Sequence, residues 1–350
     1  MILHWLSLRL PTVGSSLFTL HSLSRYRSHL MGFAMIAVML FHVGGSRHDT
    51  IPFCISRCGN IGVDMFLFLS GIGLWFSWTK SIAQASLAAS LRNFFRNRYV
   101  RIYPTWLLVA CIFYIPIYIR GGDDLWGTIL NITVNWDFWE HDAWQFWFIP
   151  SIMMLYTVAP FYMELIRRHE EYRWLPVAAM LLCVLIQYWQ PLHAAVGHIE
   201  IFFSRIPIFL IGINAGRAVK EGKTLPASSL WLILLIFLMS AFICINFENG
   251  LRGRFPLFLE RMVYIPLSIT MMLLLCRLFA VLPRQVNTIF VFLGGISLEL
   301  YMVHIHWGLN YIRPHHLGYW LSAAWMFAIA VPMSWLLHKI MEKVTKAIFF

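Results

Sequence analysis

The sequence predicts an all-α fold, a polytopic membrane helix bundle, and three observations carry that expectation. Of 350 residues, 59% are hydrophobic and 12% charged, with a mean hydropathy of +0.68, whereas soluble domains carry about 25% charged residues. The apolar residues fall into runs of about 20, the length that crosses a bilayer. The 16 Trp residues suit a chain that repeatedly passes the headgroup layer, where Trp and Tyr concentrate. The net charge of +11 lies between the apolar runs rather than in one patch, which fits topology signals and speaks against nucleic acid.

Taken in order, residues 1–27 read as a cytoplasmic or interfacial arm. Arg9, Pro11, Gly14, Ser15 and Ser16 interrupt its apolar character, and neither the charged start nor the cleavage site of a signal peptide is clear. Residues 28–350 then form one bundle of about ten transmembrane helices, at roughly 28–46, 60–79, 99–119, 145–166, 174–192, 200–217, 228–246, 259–280, 287–309 and 319–341. The connections are short, so no appended soluble domain is expected. An N-in, C-in orientation places most Lys and Arg inside, among them Arg25, Arg27, Lys80, Arg92, Arg167, Arg168, Arg217, Lys220, Lys339, Lys343 and Lys346. It leaves acidic loops outside, with Asp49, Asp123, Asp124, Asp137, Glu140, Asp142 and Glu248, as the positive-inside rule requires. No internal repeat stands out, which weighs against an inverted-repeat transporter. Cys111, Cys183, Cys244 and Cys276 fall in or at apolar runs as small hydrophobes, and Cys54 and Cys58 share the first loop at a spacing that allows a disulfide.

Five ionisable residues lie inside the apolar runs: His42, Asp64, Arg205, Glu299 and His304. Hydrocarbon offers no water to solvate such groups, so their presence points to a functional site. In the N-in orientation they occupy the middle-to-outer half of the membrane. On the opposite side Arg96, Arg98 and Arg101 precede Pro104 where the third span begins, a place suited to a phosphate-bearing ligand. Each has a plainer reading. His42 is either a base or an interhelical hydrogen-bonding residue. Asp64 either orients His42, caps a helix or pairs with Arg205, and the arginines are either ligands or topology charge. Trp136, Trp139, Trp144 and Trp147 either stack on a sugar or form an interfacial belt. No zinc pattern, Walker loop or GxGxxG unit is present.

Four stretches together resemble the acyltransferase 3 family of integral membrane acyltransferases. They are Leu30-Met31-Gly32-Phe33-Ala34 through His42, Gly62-Val63-Asp64-Met65-Phe66-Leu67-Phe68-Leu69-Ser70-Gly71, Phe95-Arg96-Asn97-Arg98-Tyr99-Val100-Arg101-Ile102-Tyr103-Pro104, and Ser297-Leu298-Glu299-Leu300-Tyr301-Met302-Val303-His304. Trp147-Phe148-Ile149-Pro150 and Phe209-Leu210-Ile211-Gly212 add weaker agreement. The resemblance implies transfer of an acyl group, acetyl or succinyl, from cytoplasmic acyl-CoA to a hydroxyl of an extracytoplasmic saccharide or lipid-linked glycan. The setting implied is a bacterial cytoplasmic membrane, with membrane lipids around the bundle and no metal. Such chemistry needs a base, a cradle for donor phosphates and stabilisation of an oxyanion. The resemblance assigns catalysis to His42 with Asp64, Glu299 and His304. It assigns the donor to Arg96, Arg98 and Arg101, and our reading adds substrate contact by Arg205, Trp147 and Tyr301. Met31 stands where the family pattern has arginine, and Arg27 lies one turn earlier on the same face. The alternative is a transporter that exports a polysaccharide or a lipid-linked glycan along the buried polar groups.

Overall fold

The computed structural model describes residues 18–44, 56–251 and 255–349. Nearly all of them are helical. The principal helices are α1 (Arg27–Val43), α2 (Ile61–Gln84), α3 (Leu87–Ile119), α4 (Leu125–Val134), α5 (Phe148–Arg168), α6 (Leu175–Tyr188) and α7 (Gln190–Val196). They continue with α8 (Ile206–Lys220), α9 (Ser229–Gly250), α10 (Leu257–Val281), α11 (Arg284–Gly295), α12 (Ser297–Val303) and α13 (Tyr319–Phe349).

Among the described residues, six helices are long and apolar enough to cross a membrane: α2 with the turn before it, α3, α5, α9, α10 and α13. Two bent pairs raise the number to eight if each pair is one span. Glu170–Tyr188 meets Gln190–Phe203 at 100°, and Arg284–Gly295 meets Ser297–His315 at 65°. Ten intervals were expected, and each holds helix. Two of them, 28–46 and 200–217, hold the 17-residue α1 and the 15-residue α8, roughly 25 and 22 Å long at 1.5 Å per residue, short of a hydrocarbon core of about 30 Å.

The bends have local causes. Trp189 is extended (φ −96°, ψ 100°) and Pro191 sits in the first turn of α7, where its missing N–H costs nothing, whereas it cannot continue α6. Gly294 and Gly295 end α11 and Ile296 leaves helical geometry (φ −107°, ψ 17°). After α12 comes a π-helical turn, His304–Leu309, a form that recurs at functional sites. Helix α3 starts twelve residues before the predicted 99, because Ser86 caps it by accepting from the Ala89 N–H. The additional helix α4 is capped by Asp124, which accepts from the Gly127 N–H at 2.6 Å.

The all-α expectation departs at one two-residue ladder. Phe18–Thr19 (β1) pairs antiparallel with Thr224–Leu225 (β2), tying the end of the predicted arm to the loop after α8. Residues 1–17 of that arm lie outside the described residues, as does Cys54, whose spacing from Cys58 allows a disulfide.

Close helix packing rests on glycine. A Cβ on Gly212 of α8 would lie 2.3 Å from the Phe68 carbonyl oxygen of α2, and one on Gly71 would lie 2.6 Å from the Phe209 oxygen. Likewise Gly32 of α1 admits the Phe290 carbonyl, and Gly294 of α11 admits that of Ser28. Backbones can approach this closely only through small residues, the usual device of membrane helix interfaces. α1, α2 and α8 thus form a buried centre, with Leu30, Met35, Met65, Phe68 and Ile213 almost wholly covered. Outer helix α9 instead exposes Trp231, Leu238 and Phe242, an apolar face suited to lipid.

Candidate active site

Among the described residues, two of the cavities, of about 750 and 480 Å³, gather the candidate side chains. Val38 of α1, Val63 of α2 and Tyr301 of α12 line both. The cavities therefore sit back to back across a thin shared wall.

Arginines ring the larger cavity. Arg98, Ile102 and Thr105 face it from α3 at helical spacing, joined by Arg101. Arg98 donates to the Ser77 hydroxyl at 2.7 Å and lies over the Phe94 ring, 5.7 Å from its centroid. Arg96, two residues before Arg98, is exposed and borders neither cavity. Sequence spacing alone had grouped all three arginines, but helical geometry sends Arg96 to another face. Met31 and Arg27 both border the cavity. A Cβ on Gly73 of α2 would approach the Arg27 guanidinium carbon to 3.1 Å, so this glycine leaves room for the arginine. Arg27, Arg98 and Arg101 converge on one space, together with Lys346 of α13. Glu299 also faces this space, and the ring of His338 meets it at 2.9 Å, Nδ1 to Oε1. Glu299 therefore belongs with the arginines, on the other side of the shared wall from the cavity that His42 lines.

The smaller cavity has a different character. His42 lines it from the last turn of α1, with Trp144, Trp147, Gln187, His193 and Glu200. Arg205 is 3% exposed and held on three sides. Its Nε lies 3.4 Å from Asp64 Oδ1, its Nη1 donates to the Ile201 carbonyl at 3.0 Å, and its guanidinium covers the Trp147 ring at 4.8 Å. The Asp64–Arg205 contact places the two charges side by side without a formed hydrogen bond. Of the three roles open to Asp64 in the sequence, the geometry provides the pairing with Arg205; buried charges require such partners.

Tyr301 occupies the wall. Its hydroxyl oxygen accepts the Phe148 N–H at 3.0 Å, one of the backbone donors left open at the start of α5. His304 lies one helical turn beyond, fully buried, with its Nε2 3.2 Å from His42 Nδ1.

The sequence reading missed a neighbouring polar cluster. Glu248 Oε1 accepts from Asn60 at 2.7 Å and from the Tyr264 hydroxyl at 2.8 Å, and Arg57 donates to the Glu248 carbonyl. Arg261 stacks on Tyr264 at 4.5 Å. Its Nε and Nη1 are buried with no hydrogen-bond partner while the residue lines the smaller cavity. Glu260 and Arg261 lie inside the predicted eighth span, so the solvation argument that singled out His42 applies to them equally. Among the described residues no group of three or more His, Cys, Asp or Glu could hold a metal ion.

A family model described as an acyltransferase domain, acyltransferase 3, matches residues 29–339. No curated protein and no solved structure matches the chain.

Proposed function

The chain belongs to the acyltransferase 3 family of membrane acyltransferases, and from that premise we propose a division of labour between its two cavities. It is a multi-pass integral membrane protein, and it transfers acyl groups. In our reading the larger cavity takes an acyl-CoA, acetyl or succinyl, from the cytoplasm. The smaller cavity takes a hydroxyl of an extracytoplasmic saccharide or lipid-linked glycan at a bacterial cytoplasmic membrane, with the bundle oriented N-in and C-in.

The observation that carries this reading is the shared wall. Three arginines without a carboxylate ion pair among the described residues converge on one side, and guanidinium clusters of this kind suit phosphate groups. His42 faces the other side beside two tryptophans and polar side chains, the composition of a saccharide site. A thioester reaching the wall from the arginine side meets a hydroxyl arriving from the His42 side.

The chemistry then follows from the residues. The His42 imidazole takes the acceptor hydroxyl proton as the oxygen attacks the thioester carbonyl. Tyr301 is positioned to donate its hydroxyl proton to the resulting oxyanion, because its oxygen already accepts from Phe148. Collapse breaks the C–S bond, the ester stays on the acceptor, and His42 returns the proton to the leaving thiolate. Arg205 and Trp147 form one wall of the acceptor space, and the unpartnered Arg261 nitrogens donate to acceptor oxygens there. Asp64 holds Arg205 rather than reacting, and Glu299 with His338 shapes the donor side.

The test is mass spectrometry of surface glycans in cells carrying His42→Ala or Arg98→Ala. Loss of one acyl substituent with glycan export unchanged is the expected result. Normal acylation in the His42→Ala strain removes the assignment, and glycan retained inside the cell favours the transport alternative.

A further inference from the structure

The hydrogen bonds around half-buried His42 and buried His304 decide where their protons sit. His304 Nδ1 lies 2.8 Å from two carbonyl oxygens, those of Leu300 and Tyr301. A carbonyl oxygen can only accept, so Nδ1 carries the hydrogen, and the lone pair of neutral His304 is on Nε2. That nitrogen faces His42 Nδ1 at 3.2 Å. His42 Nδ1 lies 2.8 Å from the Val38 carbonyl oxygen, so it too carries a hydrogen, shared between Val38 and His304. The only lone pair left on neutral His42 is on Nε2. His42 lines the smaller cavity and His304 lines neither.

We infer that His304 is a positioning residue that, together with the Val38 carbonyl, holds His42 in the Nδ1–H tautomer, so that Nε2 is the nitrogen that accepts the proton. It takes the place that a carboxylate holds in a hydrolase triad. As His42 Nε2 gains the hydroxyl proton, the Nδ1–H of the imidazolium is held by the neutral lone pair of His304, and no charge is buried in advance of the reaction. The π-helical turn that begins at His304 and its two carbonyl acceptors keep the ring from rotating. This rests on the reading of His42 as the base.

Two amide substitutions separate this role from simple packing. In His304→Gln the side-chain oxygen reaches the Nε2 position and still accepts from His42. In His304→Asn the side-chain amide reaches only the Nδ1 position, where it can donate to the same carbonyls, and the Val38 carbonyl alone is left to accept from His42. With purified protein and labelled acyl-CoA, kcat in the Gln variant should stay within about tenfold of wild type. In the Asn variant kcat should fall about 10²–10³-fold with KM for the donor within a few-fold, since a wrong tautomer costs up to about 10⁴ in a serine protease triad. A purely structural role predicts the reverse order, because Asn keeps the bonds to Leu300 and Tyr301. A second readout needs no turnover: ¹⁵N NMR of histidine-labelled wild type, with the His42 signal assigned by its loss in His42→Ala, should show Nδ1 protonated and Nε2 bare. Asn as active as Gln, or a protonated Nε2 on neutral His42, overturns the inference. Wild type with the expected tautomer but no acyl transfer instead overturns the reading of His42 as base.

Discussion

Tyr301 borders both cavities while its oxygen already accepts the Phe148 N–H, so a Tyr301→Phe change removes one proton donor and little volume. An oxyanion donor of this kind is worth about 10²–10³ in kcat. Single-turnover acyl transfer should slow by that factor with donor KM nearly unchanged, and a variant within threefold of wild type would leave the oxyanion without this donor. Arg27 supports a second prediction. It borders the larger cavity one turn before Met31, which borders it as well, so it is placed where it could supply the charge that the family pattern has at 31. Arg27→Ala should raise the donor KM roughly tenfold or more, in line with about 1.5–3 kcal/mol for a charged hydrogen bond. Combining it with Met31→Arg should recover most of the loss. A double variant no better than Arg27→Ala counts against a common phosphate-binding task for the two positions. The cost of burying charge made His42, Asp64, Arg205, Glu299 and His304 legible in the sequence. The same rule did not sort them, because which side of a thin wall a helix residue faces depends on its neighbours: Glu299 turns to the arginines and His42 away. Glu248 reads as an outer-loop charge and Glu260 and Arg261 are passed over, because all three lie near the ends of apolar runs, where charge reads as topology.

At the scale of elements, helical runs were readable because apolar length is a property of the sequence itself. The bends were less so. Pro191 and the Gly294-Gly295 pair are weak signals that become 100° and 65° turns only once neighbouring helices hold the two halves apart. The glycine contacts were invisible for the same reason: Gly71 and Gly212 lie in unrelated stretches, and only the assembled α2–α8 pair shows that each faces the other's backbone. That contact supports a prediction. In Gly212→Leu the new Cβ meets the Phe68 carbonyl at 2.3 Å, and a backbone atom cannot move aside as a side-chain tip can. Overpacking of this type costs about 1–3 kcal/mol or more, and here it separates α2, which carries Asp64, from α8, which Arg205 immediately precedes. Detergent-purified Gly212→Leu should show a markedly lower melting temperature or fail to accumulate. Gly250→Ala, with nothing within 4 Å of the added Cβ, should melt as wild type does. Equal melting of the two variants would mean that α2 and α8 do not pack through these residues.

For the molecule as a whole, α1 sets the distance between the two ends of the reaction. Arg27 opens the helix and His42 lies in its last turn, about 22 Å apart along the axis at 1.5 Å per residue. A donor whose phosphates rest at Arg27 must therefore reach inward by most of the helix length to present its thioester at the wall of Val38, Val63 and Tyr301. This extended donor makes orientation consequential: if the donor is the acyl-CoA proposed above, which is made in the cytoplasm, the arginine end must open there. The charge bias predicts that orientation: the loop after α8, with Lys220 and Lys223, should be inside, and the loop around Asp123 and Asp124 before α4 should be outside. Fluorescent-protein fusions truncated after residue 223 should glow, and alkaline-phosphatase fusions truncated after residue 124 should be active, each with the other reporter silent at that site. The reverse pattern would set the arginine cavity facing outward, away from any supply of acyl-CoA. A different anionic donor would then be needed for the same His42 chemistry.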